Sequence, residues 1–271
     1  MLPPLLTPAL SQSALAHIQL VATDMDGTLT TAGDFTPGLL DALKRLTAHG
    51  MGVMIVTGRS AGWVSALVNY LPVVGAIAEN GGLYIPKDTL EPMILPDTGQ
   101  IGDHRDRLLT LFNQIKRRYP QLTPSVDNAY RITDWTFDIE GLSAADLDWM
   151  QTACAAQSMG FTYSTVQCHL KLESQNKAAG LATVLQRMFP QIAPTNVVTV
   201  GDSPNDESLF DGEHFPHSVG VANVAHYLPA LAHSPAYLTS APEGQGFLEL
   251  VEQLVMAAQS SSQLLSSTST P

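Results

Sequence analysis

Short apolar runs alternate with amphipathic helical stretches in the first and last thirds of the chain. The runs Ile18–Ala22, Val53–Val56 and Val73–Ala78 have the length of buried strands, and leucines at helical spacing separate the first two. A helix from Asn176 and a strand over Asn196–Val200 resume the alternation. This order is typical of a parallel sheet with helices on both faces. We therefore predict an α/β protein.

The middle of the chain follows another pattern. Its strand candidates, Tyr130–Ile139 and Tyr163–Leu170, alternate only partly, and the helical stretches Arg105–Arg118 and Ala144–Met159 accompany them. We predict an inserted α+β domain with an antiparallel sheet over residues 85–171. The sheet domain is then discontinuous and comprises residues 1–84 and 172–271.

Polar residues follow three of the predicted strands, in the runs Asp24–Thr28, Thr57–Arg59 and Asp202–Asp206. In open parallel sheets, ligands bind outside the carboxyl ends of the strands, so one site could hold all three runs. Clustered carboxylates are costly unless a cation neutralises them, and hard Mg²⁺ prefers such oxygen ligands. The alternative for the first run is a plain Asp-Gly turn. The four acids concerned are Asp24, Asp26, Asp202 and Asp206.

Two further features favour an anionic ligand. The Thr57 hydroxyl and the Gly58 N–H could hold a phosphate oxygen, although a helix N-cap with a glycine turn explains the same residues. Lys177 begins a predicted helix, where the helix dipole disfavours a cation unless the lysine meets an anion. Exposure to solvent is the alternative for Lys177.

Charge and composition restrict the partners. The chain has 13 Lys and Arg against 25 Asp and Glu, a net charge of −12, which argues against nucleic acid as a partner. A small phosphorylated ligand needs only local cations. Two cysteines cannot form a disulfide framework and fit a reducing compartment, and no apolar stretch reaches membrane-spanning length. We expect a cytoplasmic protein without a membrane partner.

The polar runs resemble the four motifs of the haloacid dehalogenase superfamily. The first motif stands as Asp24-Met25-Asp26-Gly27-Thr28, the second is Thr57, the third Lys177, and the fourth Gly201–Asp206. The resemblance covers residues 18–257, and the place of the insertion is similar to the type IIB, Cof-like branch with a C2B cap. It implies a Rossmann-like parallel sheet core with an inserted α+β cap that chooses the substrate.

The resemblance also implies roles for single residues. Asp24 would be the nucleophile that forms an aspartyl-phosphate, and Asp26 the general acid and base. Mg²⁺ would be held by the Asp24 carboxylate, the Asp26 backbone carbonyl and Asp202. Asn205 and Asp206 would position Lys177 or metal-bound water. The phosphoryl oxygens would be bound by Thr57, Gly58 and Lys177.

The substrate is less closely defined. The runs Glu79–Tyr84 and Ala241–Phe247 resemble mannosyl-3-phosphoglycerate phosphatases, whereas Thr57-Gly58-Arg59 resembles general sugar phosphatases and sucrose-phosphatases. Arg59 and Asn80 are candidate substrate contacts, with turn or salt-bridge roles as alternatives. Five residues of the inserted domain could also face the substrate, with core or surface positions as alternatives. They are Tyr130, Arg131, Trp135, His169 and Lys171.

These features predict a Mg²⁺-dependent phosphatase that hydrolyses a small phosphorylated sugar or related metabolite. The alternative is a phosphohexomutase of the phosphomannomutase type, which returns the phosphoryl group to the sugar. A catalytically silent binding module is disfavoured because every expected catalytic position is filled. The sequence does not predict an oligomeric state.

Overall fold

The computed structural model describes residues 2–8, 14–164 and 166–268. The chain divides into two compact units. The first comprises the described residues up to Ile55, then Leu71–Gly75, then those from Leu185 onward. The second comprises Val56–Tyr70 and Ala76–Val184.

Eleven strands and six α-helices make up the regular structure of the described residues. The strands are β1 (Leu20–Thr23), β2 (Gly52–Val56), β3 (Gly75–Ala78), β4 (Leu83–Pro86), β5 (Met93–Ile94), β6 (Trp135–Asp138), β7 (Met159–Tyr163), β8 (Gln167–Leu172), β9 (Val197–Gly201), β10 (His217–Gly220) and β11 (Tyr237–Leu238). The helices are α1 (Pro37–Ala48), α2 (Ala61–Tyr70), α3 (Ile101–Arg118), α4 (Ala144–Ala155), α5 (Lys177–Met188) and α6 (Glu243–Thr268).

The first unit is built on parallel strands in the order β11-β10-β9-β1-β2. All residues of β1 and β9 are buried, as expected of strands covered on both faces. Their register pairs Thr23 with Val200, so the residues that follow the two strands leave the sheet side by side. This confirms the predicted parallel sheet.

Helix α1 shows why its stretch of sequence is helical. Pro37 occupies the first turn, where its missing N–H has no helical partner to lose, and Gly50 leaves the helix with a φ of 77°. The residues buried on one face have helical spacing, and the opposite face pairs Arg45 with Glu252 of α6. Thr36 stands at the N-cap position, but its side chain makes no capping hydrogen bond. The buried residues are Leu39, Ala42, Leu43 and Leu46.

The second unit contains β3, β4 and β5, with β4 and β5 antiparallel, and a separate antiparallel sheet in the order β6-β8-β7. The separate sheet and the helices α3 and α4 share one hydrophobic core, centred on side chains such as Phe112, Phe137 and Leu170. The parallel-dominated sheet and the separate antiparallel sheet, which packs with two helices, confirm the predicted fold class.

Three elements predicted in the middle third have wrong boundaries, and one of them, the predicted strand Tyr163–Leu170, falls on the end of β7 and most of β8. Of the predicted strand Tyr130–Ile139 only Trp135–Asp138 is a strand, and Val126–Tyr130 form a 3-10 helix. The Asn128 amide bonds the backbone of Ser125 and Thr136, which fixes that turn. The predicted helix to Met159 ends at Ala155, because Ser158 takes a φ of 55° and reverses the chain into β7.

Two expectations about the class of protein can be compared with the structure. No helix within residues 2–8, 14–164 and 166–268 has both the length and the hydropathy to cross a bilayer. Cys154 and Cys168 are free and buried in the core of the second unit. Burial raises the pKa of each thiol to about 12, so both stay protonated and unreactive at neutral pH.

Candidate functional site

Three buried carboxylates of the first unit lie at the ends of two adjacent strands. Asp24 follows β1 and donates its N–H to the Val200 carbonyl at 2.9 Å, and Asp202 follows β9. One carboxylate oxygen each of Asp24, Asp202 and Asp206 lies within 4.8 Å of the others. Three buried anions this close repel one another strongly, so the arrangement suits a cation with hard oxygen ligands.

Neighbouring polar groups orient two of these acids. An Asp206 oxygen accepts the N–H groups of Asp202 at 2.9 Å and Ser203 at 3.1 Å, which closes the first turn of the 3-10 helix Pro204–Phe210. Asp202 accepts hydrogen bonds from the Thr28 hydroxyl at 3.3 Å and the Asn223 amide at 2.8 Å. The two carboxylates are therefore held in place by donors of their own unit.

Asn223 is a residue that the sequence reasoning missed. Its amide nitrogen bridges the Gly27 carbonyl at 3.1 Å and the Asp202 carboxylate, and its oxygen accepts the Glu243 N–H at 2.9 Å. It follows β10, the next strand beyond β9, in the short 3-10 helix Ala222–His226. The rule that polar residues matter at the carboxyl ends of parallel strands would have found it.

Gly27 is required by the close approach of Asp202. Its φ is +78°, and a Cβ atom there would lie 2.5 Å from the Asp202 carboxylate. The predicted sharp turn is therefore present. The Gly27 N–H itself donates to the Thr30 hydroxyl at 2.9 Å, so this N–H serves the turn and not an anion.

The remaining predicted acid-loop residues differ in burial. Asp26 is partly exposed in the loop after β1, whereas Asp24 is buried. Asn205 is buried, and its side-chain oxygen accepts the Ser203 hydroxyl at 2.7 Å. Partial exposure suits Asp26 for proton exchange with a bound group or with solvent.

The second unit carries the other predicted residues. Thr57 follows β2, and its buried hydroxyl oxygen accepts the Arg59 N–H at 3.2 Å. Gly58 leaves little room, because a Cβ there would lie 3.1 Å from both the Asn80 amide nitrogen and the His169 Cε1. Lys177 begins α5 and is fully buried, which excludes the solvent-exposed alternative for it.

Glu79 is a second residue that the sequence reasoning missed. Its buried carboxylate accepts the N–H groups of Ala61 at 3.0 Å, Ile132 at 3.1 Å and Thr133 at 2.6 Å, and also the Thr133 hydroxyl at 2.8 Å. Burial and the charge of Asp134 raise the pKa of Glu79 to about 7, although the bonded N–H groups lower it. Glu79 and Asn80 both have a φ of 53°, a conformation that costs a non-glycine residue about 1–2 kcal/mol.

A buried charged set surrounds Arg131. Its guanidinium bonds Asp127, Asp134 and the Gly58 carbonyl, and Asp134 also bonds the His169 ring at 2.8 Å. Burial lowers the pKa of Arg131, but Asp134 and Asp127 raise this pKa by more than burial lowers it, so the guanidinium stays charged. Burial also lowers the pKa of His169, which favours the neutral ring despite Asp134.

The other residues proposed for the inserted domain have different positions. Tyr130 is exposed, and Trp135 is half-buried against Phe112 in the hydrophobic core. Lys171 is buried and donates to the Gln175 carbonyl, and its burial lowers its pKa to about 8. Tyr130 and Trp135 therefore occupy the surface and core positions that were their alternatives.

A polar cavity of about 300 Å³ opens beside Arg59 in the second unit. The Arg59 guanidinium lies 4.8 Å from the centre of the Trp63 ring, and both side chains line the cavity. The other polar residues of the lining are Thr123, Ser125, Asp127, Asp138 and Gln167. This lining offers several hydrogen-bond acceptors, two of them carboxylates.

Comparisons with known proteins point to one family. Residues 21–98 match the family model described as haloacid dehalogenase-like hydrolase. The phosphoglycolate phosphatase of Methanothrix thermoacetophila is 27% identical over 242 residues, which covers 88% of this chain and 97% of that protein. The phosphoglycolate phosphatase of Natronomonas pharaonis is 29% identical over 248 residues, which covers 86% of this chain and 96% of that protein.

Solved structures share the fold at lower identity. A Thermoplasma acidophilum protein superimposes with a TM-score of 0.72 at 18% identity, over 88% of this chain and 99% of that one. The sucrose-phosphatase of Synechocystis, solved with sucrose and phosphate, gives a TM-score of 0.60 at 16% identity, over 88% of this chain and 98% of that one. A subclass IIB sugar phosphatase gives a TM-score of 0.65 at 14% identity, over 88% of this chain and 99% of that one.

Proposed function

The chain belongs to the haloacid dehalogenase superfamily and is a phosphatase, and from that premise we propose that it hydrolyses a small phosphorylated sugar with the help of Mg²⁺. The observation that carries the proposal is the buried group of Asp24, Asp202 and Asp206 carboxylates. Such a group belongs to a site that handles charge, because a structural role does not require three buried acids within one ion's reach.

The donor set fits a hard divalent cation. We propose that Mg²⁺ is held by the carboxylates of Asp24 and Asp202 and by the backbone carbonyl of Asp26. When bound, the cation neutralises these acids and polarises the phosphoryl group. Asp206 holds the loop of Asp202 through two backbone N–H groups, and Asn205 braces the same loop through Ser203.

Asp24 and Asp26 divide the chemistry between them. An Asp24 carboxylate oxygen attacks phosphorus and forms an aspartyl-phosphate while the bond to the leaving oxygen breaks. Asp26 gives its proton to that oxygen, and then takes one from the water that attacks the same phosphorus. The second attack breaks the bond to Asp24 and releases inorganic phosphate.

Three groups of the second unit are proposed to bind the phosphoryl oxygens. They are the Thr57 hydroxyl, the Gly58 N–H and the Lys177 ammonium. The full burial of Lys177 supports this role, because an ammonium ion removed from water requires compensating negative charge. Preorganised donors of this kind stabilise charge that develops in the transition state.

The cavity beside Arg59 supports a polyhydroxylated leaving group. Asp127, Asp138 and Gln167 can accept hydrogen bonds from sugar hydroxyls, and the Trp63 face suits the C–H face of a sugar ring. Arg59 and Asn80 are proposed substrate contacts. The second candidate is phosphoglycolate, favoured by the names of the sequence relatives and by the cation Arg59. Two carboxylates in the lining disfavour its carboxylate group.

Two further proposals concern the domain boundaries and the cellular location. We propose a core domain of residues 1–84 and 172–271 and a cap of residues 85–171, supported by the separate hydrophobic core of that middle region. We also propose a cytoplasmic location, which the two free, buried cysteines support.

Phosphate release from a panel of sugar phosphates and phosphoglycolate, with Mg²⁺ or with a chelator, tests the proposal. We expect Mg²⁺-dependent release, reduced by at least ~10³-fold in Asp24→Asn, which lacks the nucleophile. Asp41→Asn, an exposed acid of α1, is the matched control and should keep full activity. Interconversion of sugar 1- and 6-phosphates without free phosphate would replace the phosphatase by the mutase. Binding without turnover would favour a silent module.

A further inference from the structure

A buried arginine ties the segment Arg131–Asp134 to the turn that contains Thr57, Gly58 and Arg59. Its Nη1 donates to the Gly58 carbonyl at 2.9 Å and to both oxygens of Asp134 at 2.9 Å. Its Nη2 donates to Asp127 at 2.8 Å and to Gln167 at 3.0 Å. The side chain is fully buried, so water does not compete for these bonds.

Holding the Gly58 carbonyl also sets the orientation of the Thr57 hydroxyl. The Gly58 carbonyl and the Arg59 N–H belong to one planar peptide group, so fixing the oxygen fixes the N–H. That N–H donates to the Thr57 hydroxyl oxygen at 3.2 Å. The hydroxyl oxygen therefore accepts a hydrogen bond within the turn, and the hydroxyl proton remains available to donate to a phosphoryl oxygen.

The same carboxylate supports a second contact with this turn. Asp134 bonds the guanidinium of Arg131 and also the Nδ1 of His169 at 2.8 Å. The Cε1 of that ring lies 3.1 Å from where a Cβ of Gly58 would stand. Arg131 and His169 thus both reach the Gly58 turn from Asp134, which leaves the turn little freedom to move.

We propose that Arg131 is a positioning residue for phosphate binding, acting through the Gly58 carbonyl on the Thr57 hydroxyl. The inference rests on the proposed function, because that function supplies the phosphoryl ligand of the turn. Lysine at position 131 keeps the charge, but a single ammonium cannot bond Gly58, Asp134, Asp127 and Gln167 together.

The test is Arg131→Lys, with inorganic phosphate as the probe. We expect the inhibition constant for phosphate to rise and kcat/KM to fall, each by roughly ten- to a hundredfold, because misplaced groups lose much of their effect. Backbone hydrogen exchange over residues 57–60 should become faster. Asp127→Asn weakens only the bond to the Nη2 of Arg131, so it should raise the inhibition constant for phosphate by a smaller factor. This variant replaces Arg131→Lys as the test if Arg131→Lys does not fold.

Arg105→Lys is the matched control. Arg105 is a partly buried arginine that bonds the carbonyls of Asp134 and Asn128 and stacks on Trp135, 4.9 Å from the ring centre. It supports the same segment without a bond to Gly58. Its substitution should lower stability while leaving the phosphate inhibition constant and the exchange at residues 57–60 unchanged.

The outcomes are distinguishable. Unchanged phosphate inhibition in folded Arg131→Lys overturns the inference, even if exchange becomes faster, because Arg131 then has only a structural role. An equal effect in Arg105→Lys overturns it too. A wild-type protein that neither hydrolyses phosphate esters nor binds phosphate overturns the proposed function and the ligand named here. The exchange measurement then still decides whether Arg131 holds the turn.

Discussion

Two buried polar regions of the described part of the protein are built in opposite ways. The carboxylates of the first unit gather at the ends of β1 and β9, and residues of the two motif loops donate hydrogen bonds to Asp202 and Asp206. The network around Glu79 and Arg131 draws its partners from several separate segments of the second unit. The first region follows from strand order and loop motifs, whereas the second depends on the detailed packing of the chain.

The difference also concerns what each region can tolerate. The carboxylates collect like charges, which suits a site that a cation completes. The Arg131 network pairs opposite charges, which suits a rigid support. We therefore expect substitutions in the first region to affect metal-dependent activity, and substitutions in the second to affect stability and the geometry of neighbouring groups.

Among the substitutions that test this comparison, the largest effect is expected for Gly27→Ala. The new Cβ would lie 2.5 Å from the Asp202 carboxylate, so Asp202 must move, and kcat/KM should fall about a hundredfold. Gly33→Ala is the control, because Gly33 has a φ of +85° but no described residue other than its chain neighbours lies within 4 Å of the position that its Cβ would take. It should lose only about 1–2 kcal/mol of stability to backbone strain. Equal losses of activity in both variants would refute the role of Gly27 at Asp202.

The next effect is a pH dependence of stability that comes from Glu79. Its pKa is about 7 in the folded protein against an ordinary 4.5, so between these values the folded state holds a proton that the unfolded state has lost. Stability from this group is therefore present below pH 4.5 and falls by about 3 kcal/mol as the pH rises to 7.

Glu79→Gln should abolish this part of the pH dependence. Urea unfolding at several pH values between 4.5 and 7.5 gives the free energy of unfolding of the variant and of the wild type. The contribution of Glu79 is the change with pH in the difference between these two free energies. Glu249→Gln is the control, because Glu249 also accepts backbone N–H groups, from Ser240 and Ala241, but is only half-buried. Parallel profiles for Glu79→Gln and wild type would show that the carboxylate is not protonated in this window.

A smaller effect is expected for Asn223→Ala, which removes the bridge between Gly27 and Asp202. Loss of a residue that orients a metal ligand weakens metal binding by about ten- to a hundredfold, and the lower end applies here because Thr28 still bonds Asp202. The Mg²⁺ concentration for half-maximal activity measures it. Asn196→Ala also removes an asparagine bonded to a backbone carbonyl, that of His17, and should leave the Mg²⁺ requirement unchanged.

The smallest effect is expected for Arg45→Met. Arg45 pairs with Glu252 on the surface, where solvent screens the pair, so the free energy of unfolding should change by less than about 1 kcal/mol. Thermal unfolding at low and high salt measures it. A loss of stability as large as the one measured for Arg131→Lys would show that the exposed pair contributes as much as the buried one.

The sequence is sufficient for much of the first region and for little of the second. Apolar runs and the loops that end them predict β1, β9 and the meeting of Asp24 with Asp202, because parallel strands bring their carboxyl ends to one edge. Glu79 could not be identified in this way. Its importance depends on N–H groups of Ala61, Ile132 and Thr133, whose approach is decided by tertiary packing and by a strained backbone.

The misplaced elements of the middle third have a similar cause. The partial alternation over Tyr130–Ile139 predicts one strand, but the Asn128 amide takes over backbone bonds that a longer strand would make. The helix predicted to reach Met159 stops earlier because Ser158 adopts a left-handed conformation, which no local residue pattern demands. Side-chain bonds to the backbone compete with regular structure and are poorly visible in periodicity.

The pairing of β1 with β9 has a consequence for synthesis on the ribosome. β1 comprises Leu20–Thr23 and its neighbour β9 comprises Val197–Gly201, so one edge of a buried apolar strand must wait for most of the chain to be made. At about 5–20 residues per second the wait is on the order of ten to thirty seconds. An unpaired edge of this kind can pair with other chains, so the nascent protein is most prone to aggregate just before its carboxylates come together.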